Sequence, residues 1–197
     1  MNSSVNFYLC HGGKMGDQLL IDLCSPTLAG LKTGNLFTVE CEDKCAIYRE
    51  VSQFNLRFSS KGIRMIPVRF SRGRMLIYLY RPSFLKRDLA NEEACNILRE
   101  KGYSVSNADR CVAELAKHLQ ADSSFPHEIG LFLGYPVWDV VGFMKDPEEG
   151  VMYTGFWKVY DKKDKALETF ARYKKCTEAY CRAHKNGRSL EQLTVAS

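Results

Sequence analysis

The chain has 197 residues, 45% hydrophobic and 26% charged, with Lys+Arg 28 against Asp+Glu 23. That composition suits a folded globule able to bury roughly 70% of its unfolded surface, and it excludes a collagenous, low-complexity or highly acidic disordered chain. No apolar run approaches the ~18 residues of a membrane-spanning helix. The opening MNSSVNFYLCHGG lacks a basic segment followed by an apolar one, so it does not read as a secretion signal, and a cytoplasmic protein is expected.

In chain order, VNFYLC (residues 5–10) reads as a short strand or a buried turn, ended by His11-Gly12-Gly13. CSPTLAGLKTGNLF (24–37) carries a helix-start signal: Ser25 as N-cap and Pro26 at the first helical position. Gly30 and Gly34 make that helix short or broken. Residues 43–60 read as a helix with Tyr48, Val51, Phe54 and Phe58 on its inner stripe and Gly62 as its stop. GIRMIPVRF (62–70) and RGRMLIYLYR (72–81) form a hairpin turning at Ser71-Arg72-Gly73. MLIYLY is apolar on both faces and belongs at the centre of a sheet. Pro67 lacks an amide donor and puts the first strand at the edge.

Helices are expected from Ser83 to about residue 89, over about 91–101, and from Asn107 onward with Val112, Leu115 and Leu119 inward. VMYTGFWKVY (151–160) reads as a strand. Residues 161–187 read as a long amphipathic helix burying Ala166, Phe170, Tyr173, Thr177 and Tyr180. Residues 188–197 have only a weak pattern and are expected to fray. The expected architecture is α+β: one globular unit over 1–197, with a small antiparallel sheet made of the hairpin (about 63–81) and the strand at about 152–160, packed with several helices.

FPHEIGLFLGYP (125–136) is the densest string of chemistry-bearing residues. With Pro126 opening a helix, Glu128 falls where a carboxylate caps free amides, Gly134 stops the helix and Pro136 starts the next. The helix dipole disfavours the cation of His127 and leaves a neutral acceptor. His127, Glu128, Tyr135 and Lys32 are therefore the expected ligand or partner contacts. Cys24 ahead of Ser25-Pro26, with His127 as base, gives a competing thiol-hydrolase reading.

Eight cysteines in a chain of this length, with no secretion signal, read as reduced thiols. CEDKC (41–45) and the Cys176, Cys181, His184 group do not match zinc-knuckle spacing, so no metal site is expected. HGGKMGD (11–17) lacks the phosphate-loop pattern, and no cofactor is legible. Residues 57–87 hold nine basic side chains and no acidic one. Arg64, Arg69, Arg72 and Arg74 are the expected anion contacts, with nucleic acid as a less favoured partner than a small molecule or a protein. A second basic stretch, 161–188, holds nine Lys/Arg against four Asp/Glu.

FPHEIGLFLGYPVWDVVGF and GFWKVYDKKDKALETFARYKKC together resemble the signature of an uncharacterised firmicute family, a domain-of-unknown-function family of clostridia-like anaerobes. CSPTLAGLKTGNLF and LIYLYRP resemble its N-terminal and central motifs. The resemblance covers most of the chain and implies no activity. It implies a binding or accessory role in anaerobic, iron- or redox-linked metabolism, because relatives resemble accessory proteins encoded beside ferrous-iron uptake and flavodoxin genes. Val137-Trp138 depart from the small or acidic residues that relatives carry there.

Overall fold

The computed structural model describes residues 9–10, 15–121 and 125–196. The fold is α+β, centred on β4 (Arg74–Tyr80), whose residues Met75 to Tyr80 are all buried. A strand buried on both faces needs an apolar layer on each, and the sequence supplies two. The sheet runs β1 (Leu9–Cys10), β2 (Gly34–Glu40), β4, β3 (Arg64–Ser71). β2 and β3 are antiparallel to β4, and β1 is parallel to β2. β3 lies at one edge, and its register shifts between Pro67 and Arg69, where the missing amide predicts an irregularity.

One face of the sheet carries Phe37, Val39, Met65, Met75, Ile77 and Leu79. It is covered by α1 (Asp17–Leu28), α2 (Lys44–Phe58) and α9 (Leu190–Leu193). The other face carries Leu36, Val68, Leu76, Tyr78 and Tyr80. It is covered by α3 (Pro82–Asp88), α4 (Glu92–Glu100), α5 (Ala108–Gln120), α6 (Ile129–Phe132) and α7 (Val137–Lys145). A third cluster joins Trp157, Val159, Ala166, Phe170 and Tyr173. It lies between the two-stranded β5 (Tyr153–Thr154) and β6 (Lys158–Val159) and the long α8 (Lys163–Lys185).

Three expectations are corrected. CSPTLAGLKTGNLF does not begin a helix: Ser25 and Pro26 lie in the last turns of α1, the Ser25 hydroxyl donates back to the Ile21 carbonyl, and GNLF opens β2. Pro26 is tolerated there because its ring falls within a helix about to end, and the Leu31 and Lys32 amides close onto its carbonyl. The third main strand is thus β2, whereas 151–160 folds on itself as the separate β5–β6 pair. The inner stripe of α2 is Ile47, Val51, Phe54 and Phe58, while Tyr48 is exposed.

The C-terminal segment expected to fray is docked. α9 has a Ser189/Gln192 capping box, buries Leu190 and Leu193, and is followed by a Val195 amide donating to Leu28 O. Arg81 holds this corner together. It is 0% exposed and has no carboxylate partner among the described residues. Its Nε donates to Thr27 O (2.6 Å), and its Nη2 donates to Leu28 O (2.7 Å) and Val195 O (2.7 Å). Two of these carbonyls close α1, where the helix dipole is negative, so the charge is offset by oriented backbone.

Replacing Arg81 by Leu removes the guanidinium bonds to Thr27 O, Leu28 O and Val195 O and leaves the first two with a single amide donor each. We expect a loss of about 3 kcal/mol in urea unfolding at unchanged m-value, with no rescue by Arg81→Lys, whose point charge cannot span the same three oxygens.

Candidate functional site

The corner made by Gly134, Tyr135 and Pro136 packs against the loop between α1 and β2. Gly134 has φ +73, and a Cβ there would sit 2.6 Å from Thr33 Oγ1, so both the backbone and the close approach demand glycine. Thr33 in turn donates to Asp88. This contact joins two strings about a hundred residues apart, and Tyr135 becomes a wall between two clefts.

On one side of Tyr135 lies an apolar slot lined by Pro126, His127, Ile129, Val140, Phe143 and Trp157. Tyr135 stacks on Trp157 with centroids 4.9 Å apart, and His127 meets Phe143 edge-on at 5.0 Å. The slot is fixed by Asp139, 2% exposed in the first turn of α7. Its carboxylate accepts from Trp157 Nε1 (2.8 Å), Tyr160 N (2.8 Å) and Asp161 N (3.2 Å). With three donors and the helix N-terminus, this buried acid is satisfied, and its role is to set the Trp157 ring. Lys158 at the slot edge is held by Pro147 O and Glu148. His127 is exposed and, among the described residues, makes no hydrogen bond.

On the other side of Tyr135 a second cleft is lined by Asp22, Pro26, Lys32, Asn35, Phe156 and Thr177. Lys32 is 6% exposed, and its Nζ lies 5.3 Å from the centre of the Tyr135 ring. A third cavity opens behind His127 and is lined by Lys101, His118, Phe125, His127, Glu128 and Met144. Tyr135 and His127 are thus each shared by two cavities.

Glu128 is not the cap the sequence suggested. α6 starts one residue later, and Glu128 makes no capping bond. Its carboxylate is buried and accepts from Tyr103 Oη at 2.9 Å, with His118 Nδ1 at 3.7 Å. Burial and the neighbouring carboxylate push the Tyr103 hydroxyl far up, so it stays a donor. Tyr103 and His118 gave no sequence signal, because nothing local marks a tyrosine in a loop or the fourth turn of an amphipathic helix as facing a carboxylate. Asp139 did give one: it is the sole acid within the apolar run VWDVVGF.

Cys24 lies in the opposite environment from an activated nucleophile. It sits near the negative end of α1, is 0% exposed inside the core, and burial pushes its thiol up to about 12, against a smaller pull from Lys32. It lines none of the three cavities around Tyr135 and His127.

The basic hairpin is mostly committed. Lys61 donates to Glu191 O and Thr194 O, and Arg57, Arg64 and Arg87 pair with Glu191, Asp109 and Asp88. Arg69, Arg72 and Arg74 flank the exposed turn without a carboxylate partner among the described residues. Phe58, Tyr78 and Tyr80 are core, which leaves Phe70 as the exposed aromatic there, under Lys44 Nζ at 3.9 Å. Of the thiols, Cys181 donates to Asp22 and Cys111 to Ser104 O. Among the described residues, no group of three or more His, Cys, Asp or Glu is arranged to hold a metal ion, and no helix is long and apolar enough to cross a membrane.

Alkylation in the native state at mildly alkaline pH, read by peptide mass, is expected to label exposed Cys45 and spare Cys24 until the chain unfolds. Cys24 reacting ahead of Cys45 would reinstate the thiol-nucleophile reading.

The family described as "Protein of unknown function (DUF3793)" matches residues 20–194. No curated protein and no solved structure matches the chain.

Proposed function

The chain belongs to the DUF3793 family, and on that premise we propose that it is a binding module for a small, flat, mainly apolar molecule held in the slot between His127 and Trp157. One observation carries the reading: the slot has aromatic walls, and its buried acid, Asp139, already has three donors. Its enclosed space is about 40 Å³, room for the edge of a ring, with the remainder of an occupant in the open mouth. Its walls are aromatic faces and edges, which favour a planar occupant. His127 is the polar group left to orient that occupant, as acceptor or donor. Burying about 100 Å² of apolar ligand surface there contributes about 2.5 kcal/mol, so an aromatic fragment binds weakly.

Among the described residues no Ser, Thr or Cys lines the slot, Lys158 at its edge is held by Pro147 O and Glu148, and the buried acid is spent on positioning, which favours binding over catalysis. The setting we propose, a cytoplasmic accessory role in anaerobic, iron- or redox-linked metabolism, is supported by the sequence resemblance alone.

With Trp138 changed to Phe, Trp157 becomes the single tryptophan. Its emission is expected to be quenched by whatever planar molecule copurifies with native protein, identified by mass and absorbance. His127→Ala and Phe143→Ser should each weaken that binding by roughly tenfold. Quenching unchanged in both variants, or native protein carrying nothing and quenched by no aromatic fragment, overturns the proposal.

A further inference from the structure

The cleft on the far side of Tyr135 has a different chemistry, and the argument for it does not depend on the slot. Lys32 is an ammonium 6% exposed, beyond ion-pair distance of any described carboxylate. Among the described residues its Nζ donates to Asn35 Oδ1 at 3.4 Å, and that oxygen already takes the Thr27 hydroxyl at 2.7 Å. An ammonium has three N–H donors, so at least two are unspent in a place where water is scarce. Asn35 cannot turn to help, because its Nδ2 is tied to Leu23 O at 2.7 Å. Burial pushes the Lys32 ammonium down to about 8, and Cys24 beside it acts weakly in the other direction. A buried cation held this poorly needs a counter-charge.

The rest of the cleft indicates which counter-charge. Thr177 on α8 faces it with a hydroxyl that makes no hydrogen bond among the described residues. Pro26, Leu36, Leu133, Tyr135 and Phe156 supply apolar wall. Asp22 at the rim is turned to Gln18 Nε2 (2.7 Å) and Cys181 Sγ (3.3 Å). One cation, one hydroxyl and apolar walls match a monoanion with a carbon body. A phosphate dianion calls for more N–H donors than the cleft presents.

We propose that the Lys32–Thr177 cleft is a binding site for a small organic carboxylate. Its oxygens take the Lys32 ammonium and the Thr177 hydroxyl, and its carbon body lies against Tyr135 and Phe156.

The test is a thermal-shift titration of the full chain with formate, acetate, propionate and benzoate at fixed ionic strength, with inorganic phosphate in a parallel arm. The expected result is a melting temperature that rises with the logarithm of carboxylate concentration, more for acids with a carbon body than for formate, and little with phosphate. Lys32→Met removes a strained charge, so it should melt higher than wild type without ligand, and its carboxylate response should fall about tenfold or more. Thr177→Val, which leaves the charge in place, should weaken the response without raising the ligand-free melting temperature. Equal stabilisation of wild type and Lys32→Met marks an adventitious ion only and overturns the site. No carboxylate response in the wild type also overturns it, and a phosphate response exceeding the carboxylate one overturns the ligand class. Failure of the His127–Trp157 slot to bind a planar molecule leaves these outcomes untouched.

Discussion

Arg81 is the interaction on which the rest of the molecule depends. It ends the central strand, is fully buried, and gathers carbonyls from the close of α1 and from the C-terminal segment. A guanidinium can do this because its donors diverge in a rigid plane, adding to the bonds that Thr27 O and Leu28 O take from the Gly30 and Val195 amides and reaching Val195 O as well. The consequence reaches beyond stability. With Thr27 O and Leu28 O fixed, the chain leaving α1 has one path into β2, and that path carries Lys32, Thr33 and Asn35. Arg81 N also donates to Thr33 O, pinning the same loop from the sheet side. Lys32 stands on the loop that these bonds tie to the sheet.

The second constraint is the contact of Gly134 with Thr33. It brings the Gly-Tyr-Pro corner onto the Lys32 loop and stands Tyr135 between two clefts of opposite character. On the slot side, among the described residues, Asp139 and Lys158 have partners and the exposed His127 imidazole makes no hydrogen bond. On the Lys32 side the polar groups are present and under-used. Satisfied polar groups rigidify, whereas unsatisfied ones are retained at a cost that a ligand can offset. Tyr135 faces both clefts, and its hydroxyl donates to Phe156 O at 3.2 Å, which joins it to the same β5–β6 segment that carries Trp157.

Much of the fold was legible from local pattern. The hairpin, the edge position of β3, the burial of β4 on both faces and the helices from α3 to α5 and α8 follow from periodicity, turn residues and caps. The misreadings share one cause. Ser25-Pro26 is a helix-start dipeptide by local rules, yet here the helix is already ending, and the hydroxyl bonds backward as serine does in a last turn. Glu128 at an apparent first turn looked like a cap, but a buried tyrosine hydroxyl 25 residues earlier in the chain claimed it. Tyr48 and Ile47 both fit the stripe of α2, and only the sheet's position chose Ile47.

The sequence by itself determined the α+β class, the two-faced central strand and the punctuation that glycine and proline impose, because these rest on side-chain volume, period and backbone freedom within a few residues. It also picked out His127 and Tyr135 as residues whose polar atoms local structure does not require, and Lys32 as an anion contact. Tertiary structure alone decided which of them face a cavity together, that Cys24 is sealed in the core, that Asp139 is satisfied and that Lys32 is not. Whether a polar atom has a partner depends on groups brought in from distant parts of the chain, and no local pattern encodes that distance.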